Sequence, residues 1–118
     1  MTPLDGFHLP GLEEGDVARW DVRPHGPAAV PLRHPVLEPR ALLRLAERLR
    51  AARTAYLSDL PVARIVAAID AAAARLAGDD DPTRQLAERL LPDLTGYSPP
   101  MVRLVLERML LDWRADAL

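Results

Sequence analysis

Apolar residues in this chain follow two regimes that meet near residue 37. Beyond it they recur at intervals of three and four, the spacing that lines up one face of a helix. The first predicted helix runs from about Pro39 to Tyr56, with Leu42, Leu45, Ala46, Leu49, Ala52 and Tyr56 on one face and Pro39 in the first turn. The second runs from about Leu60 to Ala77, with Val62, Ile65, Val66, Ile69, Ala73 and Leu76 as its stripe. Ser58 or Asp59 can cap it, Pro61 suits its first turn, and Gly78 suits a left-handed end. The third is shorter, about Pro82 to Leu91. Asp81 is its cap, Leu86, Leu90 and Leu94 face inward, Pro92 limits its length, and Gly96 helps the chain turn. The fourth runs from about Pro99 to Ala115, capped by Ser98, with Val102, Val105, Leu106, Met109 and Trp113 as its core stripe.

No period holds before residue 37. Gly6, Gly11, Gly15 and Gly26 alternate with Pro3, Pro10, Pro24, Pro27, Pro31 and Pro35, too many breakers for a helix to persist. Leu4, Phe7, Leu9, Leu12, Val17, Trp20, Val22 and Val30 are positioned to pin this stretch onto a surface, and Val17 to Val22 has the makings of a short strand. The expected fold is therefore all-α. A compact bundle of about four helices over 37–118 follows a Pro/Gly-rich extended arm over 1–36.

Composition removes several chemistries. The chain has 118 residues and no Cys, so disulfides, thiolate metal sites and a cysteine nucleophile are excluded within it. All 15 basic residues are Arg, and the net charge of -2 argues against a general attraction to nucleic acid. No basic recognition helix follows a tight turn, which counts against a helix-turn-helix binder. The opening Met1 to Gly6 lacks the basic and apolar regions of a signal peptide, and a cytoplasmic location with no membrane span is expected. There is no Gly-rich phosphate loop and no Gly-x-Ser-x-Gly elbow. Asp93, Tyr97 and Ser98 have no neighbouring His to form a triad. Asp79-Asp80-Asp81 lacks the alternating ligands of a calcium loop, and Asp81 is explained by capping. His8, His25 and His34 have no pair at helical zinc spacing. Hence no catalytic, cofactor-binding or metal-binding residue is assigned, and no cofactor is expected in this chain.

Two features suggest a protein partner instead. Arg40, Arg44 and Arg48 stand four apart, opposite the leucine stripe of the first helix. With Arg50 and Arg53 they give it five arginines against one glutamate, Glu47. A guanidinium fork suits carboxylate or phosphate, so this face fits an anionic partner; otherwise it is a solvated outer face. In the fourth helix Leu104 and Leu111 lie nearly opposite the core stripe, where a monomeric bundle would carry polar residues. They are expected to bury against the arm, a second copy of the chain or another domain.

From Tyr56 to Trp113 the chain carries Leu60-Pro61-Val62-Ala63-Arg64-Ile65-Val66-Ala67-Ala68-Ile69-Asp70, then Asp80-Asp81-Pro82-Thr83-Arg84-Gln85, then Leu90-Leu91-Pro92, and finally Thr95-Gly96-Tyr97-Ser98-Pro99-Pro100-Met101-Val102. This order resembles the amino-terminal region of bacterial luminescence-type acyl-CoA reductases, and the Thr-Gly-Tyr-Ser-Pro-x-Met-Val turn is its most specific part. The resemblance implies an aldehyde-dehydrogenase-related parent activity. In it a fatty acyl thioester is reduced to an aldehyde with a nicotinamide cofactor, through an acyl-cysteine intermediate. This chain has neither the cysteine nor a dinucleotide fingerprint, so no catalytic residue carries over. The resemblance implies an accessory or docking domain of such a reductase, contacting a catalytic reductase domain, an acyl donor protein or a second copy of itself. The alternative is a free-standing helical adaptor unrelated to thioester chemistry.

On this basis the purified chain is expected to form no aldehyde from acyl thioesters with either nicotinamide cofactor. Aldehyde formation above a heat-inactivated control would overturn the expectation.

Overall fold

The computed structural model describes residues 2–117. In chain order it contains β1 (Leu4–Asp5), a 3-10 turn (Glu14–Asp16), β2 (Val17–His25), β3 (Val30–Leu37), α1 (Pro39–Tyr56), α2 (Val62–Leu76), α3 (Pro82–Thr95) and α4 (Pro99–Asp112). The all-α expectation is corrected. The four helices are present, but the stretch read as an extended arm forms a three-stranded mixed sheet in the order β1-β3-β2. β2 and β3 are an antiparallel hairpin, and β1 lies parallel to β3 on its other edge.

The prolines that argued against structure here are compatible with a ladder because of where they fall. Pro24 stands opposite Pro31, and Trp20 stands opposite Pro35. Two facing prolines have no N–H to exchange, so their pair must occupy a non-hydrogen-bonded site. Alternation along the ladder then makes Trp20/Pro35 a site of the same kind, while Arg23/Leu32 and Asp21/His34 carry the bonds. Arg33 shares the phase of Pro31 and Pro35 and turns its carbonyl away from β2, where it accepts from Gly6 N–H at 3.0 Å. Trp20 anchors one face of the hairpin. The Arg33 guanidinium lies 4.3 Å from its ring centre and Phe7 packs at 5.6 Å.

The chain divides into two compact units. One holds the three strands and α1. The other holds α2, α3 and α4, together with the hairpin turn Gly26–Ala29. In the first, α1 buries Ala41 and Leu45, with Arg48 half-buried. The predicted stripe is only partly right, since Leu42, Leu49 and Tyr56 are exposed. The buried line passes one residue earlier, about 100° around the helix.

In the second unit α4 packs against both α2 and α3. Ala73, Val102 and Leu110 are buried, whereas Val105, Met109 and Trp113 of the predicted α4 stripe are exposed. Arg84 on α3 is only 3% exposed. Its Nε donates to Glu88 at 2.7 Å, an Nη reaches the carbonyl of Leu76 on α2, and Glu107 on α4 stands 3.9 Å away. A charge this deep is tolerated because carboxylates and a carbonyl surround it. Asp70 on α2 accepts from Arg114 Nε at 2.6 Å and from the Ala115 N–H at 2.9 Å, tying α2 to the segment after α4.

The helix ends follow the sequence in part. Asp81 caps α3 by accepting from Thr83 N–H at 2.8 Å and Arg84 N–H at 3.0 Å, and Ser98 caps α4 by accepting from Met101 N–H. Pro61 is the N-cap of α2, and no side chain caps that helix. Ser58 instead donates to the Arg53 carbonyl at the end of α1. Gly78 is not left-handed, and α2 closes at Ala77. Pro92 does not stop α3, which continues to Thr95. Its ring removes one donor, but the turn beyond it is secured from both sides. Thr95 Oγ1 donates to the Leu91 carbonyl at 2.7 Å, and Gly96 N–H donates to the Pro92 carbonyl at 2.8 Å.

Gly96 closes α3 with φ of 78°, a left-handed conformation that strains residues bearing a Cβ. A Gly96→Val variant is expected to lose on the order of 1 kcal/mol or more. Thermal unfolding by circular dichroism checks this, and an unchanged melting curve would show that the turn does not require glycine.

Candidate functional site

The arginines of α1 do not form one free face. The acidic turn before β2 places Asp16 beneath the helix, with its side chain only 4% exposed. Arg48 donates to Asp16 Oδ2 and reaches Glu13 at 2.8 Å, and Arg44 meets Asp16 Oδ1 at 3.2 Å. Asp16 also accepts from the Glu13 N–H at 3.1 Å, which folds the acidic turn around its own carboxylate. The Arg48 hydrogen bond holds the Asp16 carboxyl below its ordinary value. The Glu13 N–H and Arg44 add to this effect, while desolvation opposes it. Arg48 Nε is buried without a partner of its own. Of the three arginines offered as an anion-binding face, Arg44 and Arg48 are thus engaged within the chain, and Arg40 is exposed. Sequence reading missed Asp16 and Glu13 because their partners lie about 30 residues along, beyond any local spacing rule.

The helical unit offers a larger surface. α4 carries apolar side chains on several sides, interrupted by the exposed Arg103, Glu107, Arg108 and Asp112. Val102, Leu106 and Leu110 turn inward, while Met101, Leu104, Val105, Met109 and Leu111 are exposed. Leu104 and Leu111, expected to be covered, are 51% and 60% exposed. Leu111 borders a cavity of about 250 Å³ with Arg84, Glu107 and Arg114, and Leu104 borders another with Pro99, Pro100 and Arg103. On a different side of α4, Val105, Leu106 and Met109 join Leu91, Thr95 and Tyr97 of α3 and the following turn around a groove of about 340 Å³. The Thr95–Met101 turn supplies the rim of this groove. The Gly96 reversal and the Ser98 cap set Tyr97 and Met101 outward, both exposed.

The electrostatics around α4 are balanced. Arg84, with Arg103, holds the Glu88 carboxyl below its ordinary value, and the Ala115 N–H, with Arg114, does the same for Asp70. Carboxylates this well paired suit structural roles better than proton transfer. Among the described residues no group of three or more His, Cys, Asp or Glu side chains converges for metal binding, and no helix is long and apolar enough to cross a membrane. The hairpin does bring His25 and His34 together, while His8 is exposed. The chain matches no protein-family model, no curated protein and no solved structure.

Asp16 and its arginines should behave as a structural unit. The low Asp16 pKa contributes stability that is complete above the ordinary carboxylate range and is lost as pH falls through the lowered value, below roughly pH 4. Asp16→Asn is therefore expected to lower the melting temperature at pH 7 by several degrees and to flatten the acid limb of the stability curve. For the same reason, Arg44→Glu with Arg48→Glu is expected to destabilise the chain rather than leave its unfolding unchanged. Denaturant unfolding from pH 2 to pH 7 measures both, and parallel curves for wild type and Asp16→Asn would remove the assigned role.

Proposed function

We propose that this chain is a non-catalytic docking module that binds a protein partner through the exposed apolar residues of α4. The observation that carries this reading is the exposure of Met101, Leu104, Val105, Met109 and Leu111 on a helix whose opposite side is already packed. Isolated surface leucines are ordinary, but five exposed apolar residues on one helix mark an interaction site. Every one of these residues lies within the Tyr56 to Trp113 segment that resembles acyl-CoA reductases, and Met101 belongs to its Thr95–Val102 turn. The partner we propose is the catalytic domain of such a reductase. The acyl-cysteine and hydride chemistry would reside there, and this chain would contribute contacts alone. The arginines contribute little to this surface, since Arg44 and Arg48 are held by Asp16.

The test pairs this chain with a luminescence-type reductase catalytic domain freed of its own amino-terminal region, using calorimetry and size-exclusion chromatography. A stoichiometric complex is expected. Leu104→Ser with Leu111→Ser should weaken it on the order of tenfold or more while leaving the melting temperature of the free chain nearly unchanged, because both leucines are exposed before binding. No complex with the catalytic domain would overturn the reductase assignment. A specific complex with a protein lacking a dehydrogenase fold, sensitive to the same substitutions, would identify a free-standing adaptor.

A further inference from the structure

His25 closes β2 and His34 lies within β3, and the hairpin sets them on the same face of the sheet. Their imidazoles meet edge to face, with ring centres 5.4 Å apart and the two Nε2 atoms 3.3 Å apart. Neither ring nitrogen is committed elsewhere by geometry as close as this. Both histidines are half-buried and line one shallow cavity of about 330 Å³ with Asp21, the residue directly opposite His34 in the ladder.

We propose that His25 and His34 form a two-histidine site for Zn2+. Two nitrogens that each lie about 2.0 to 2.1 Å from one tetrahedral ion stand about 3.3 to 3.4 Å apart, as these do. Cis positions on a square-planar or octahedral ion would bring them to about 2.8 to 3.0 Å, so the spacing favours the tetrahedral metal. In the metal-free chain one Nε2 carries a proton and shares it with the other. Zinc binding requires that proton to move through solvent to Nδ1, leaving both Nε2 lone pairs for the metal. Among the described residues no third ligand completes the set, so water or an exogenous donor fills the remaining positions. Asp21 is held by Arg23 at 2.7 Å, and its charge offsets the guanidinium that borders the same cavity. The helical spacing rule failed to find this pair because the two residues are nine apart and meet across strands.

Titration of the chain with ZnCl2 in a calorimeter is expected to show one ion per chain. His25→Gln and His34→Gln should each weaken binding at least tenfold, and His8→Gln should leave it intact. Replacement by Co2+ should give the intense visible bands of a tetrahedral centre. If either variant fails to fold, imidazole 15N spectra of the wild type decide, with both Nε2 signals shifting on zinc addition. Absence of a saturable heat, binding that survives both His25→Gln and His34→Gln, or a shift confined to one imidazole would each overturn the site.

Discussion

A paired β-strand accepts proline only where the ladder asks for no N–H, and the first unit of this protein is organised around that requirement. Pro24 and Pro31 face each other, so their pair cannot be hydrogen-bonded. With that site set, the register of the hairpin leaves Pro35 opposite Trp20 in the same class. A slip of β3 by one residue would place Pro35 where β2 needs a donor and would turn Arg33 away from the face that carries Trp20. Register therefore determines which side chains share a face. Trp20 meets Arg33 on one, and Asp21, His25 and His34 line a cavity on the other.

A buried carboxylate organises the passage from the strands to the first helix. Asp16 ends the acidic turn just before β2 and receives Arg44 and Arg48 from α1. Ion pairs at a surface contribute little, but a carboxylate removed from water requires partners, and those it recruits lose their freedom to bind other anions. Two of the most prominent charges in the sequence are thereby turned from recognition to architecture. Arg84 repeats the logic among the other helices, where α2, α3 and α4 each supply it an oxygen.

α4 shows the opposite situation. Its inner residues Val102, Leu106 and Leu110 satisfy the packing demand of a three-helix unit, yet Met101, Leu104, Val105, Met109 and Leu111 remain exposed among its charged residues. Leu104 and Leu111 are both more than half exposed on it.

The helices were legible from the chain alone because their determinants are local. Three- and four-residue spacing, Asp81 and Ser98 as caps, and Gly96 as a turn residue act over one or two turns, although the left-handed end expected at Gly78 lies at Gly96 instead. Leu104 and Leu111 could likewise be singled out, since angular position on a helix follows from residue number. Tertiary structure decided the rest. Pro24, Pro31 and Pro35 look like breakers one at a time and become compatible with a sheet only once their partners across the hairpin are known. Leu42, Leu49 and Tyr56 match Leu45 in periodicity, but only the position of the neighbouring elements determined that Ala41 and Leu45 would be buried. Asp16 with Arg48, and His25 with His34, are pairings over 32 and nine residues that no local rule encodes. Local rules specified the helices and the angular position of each residue on them. Pairing between distant segments specifies what each face meets, because it depends on where the rest of the chain has gone.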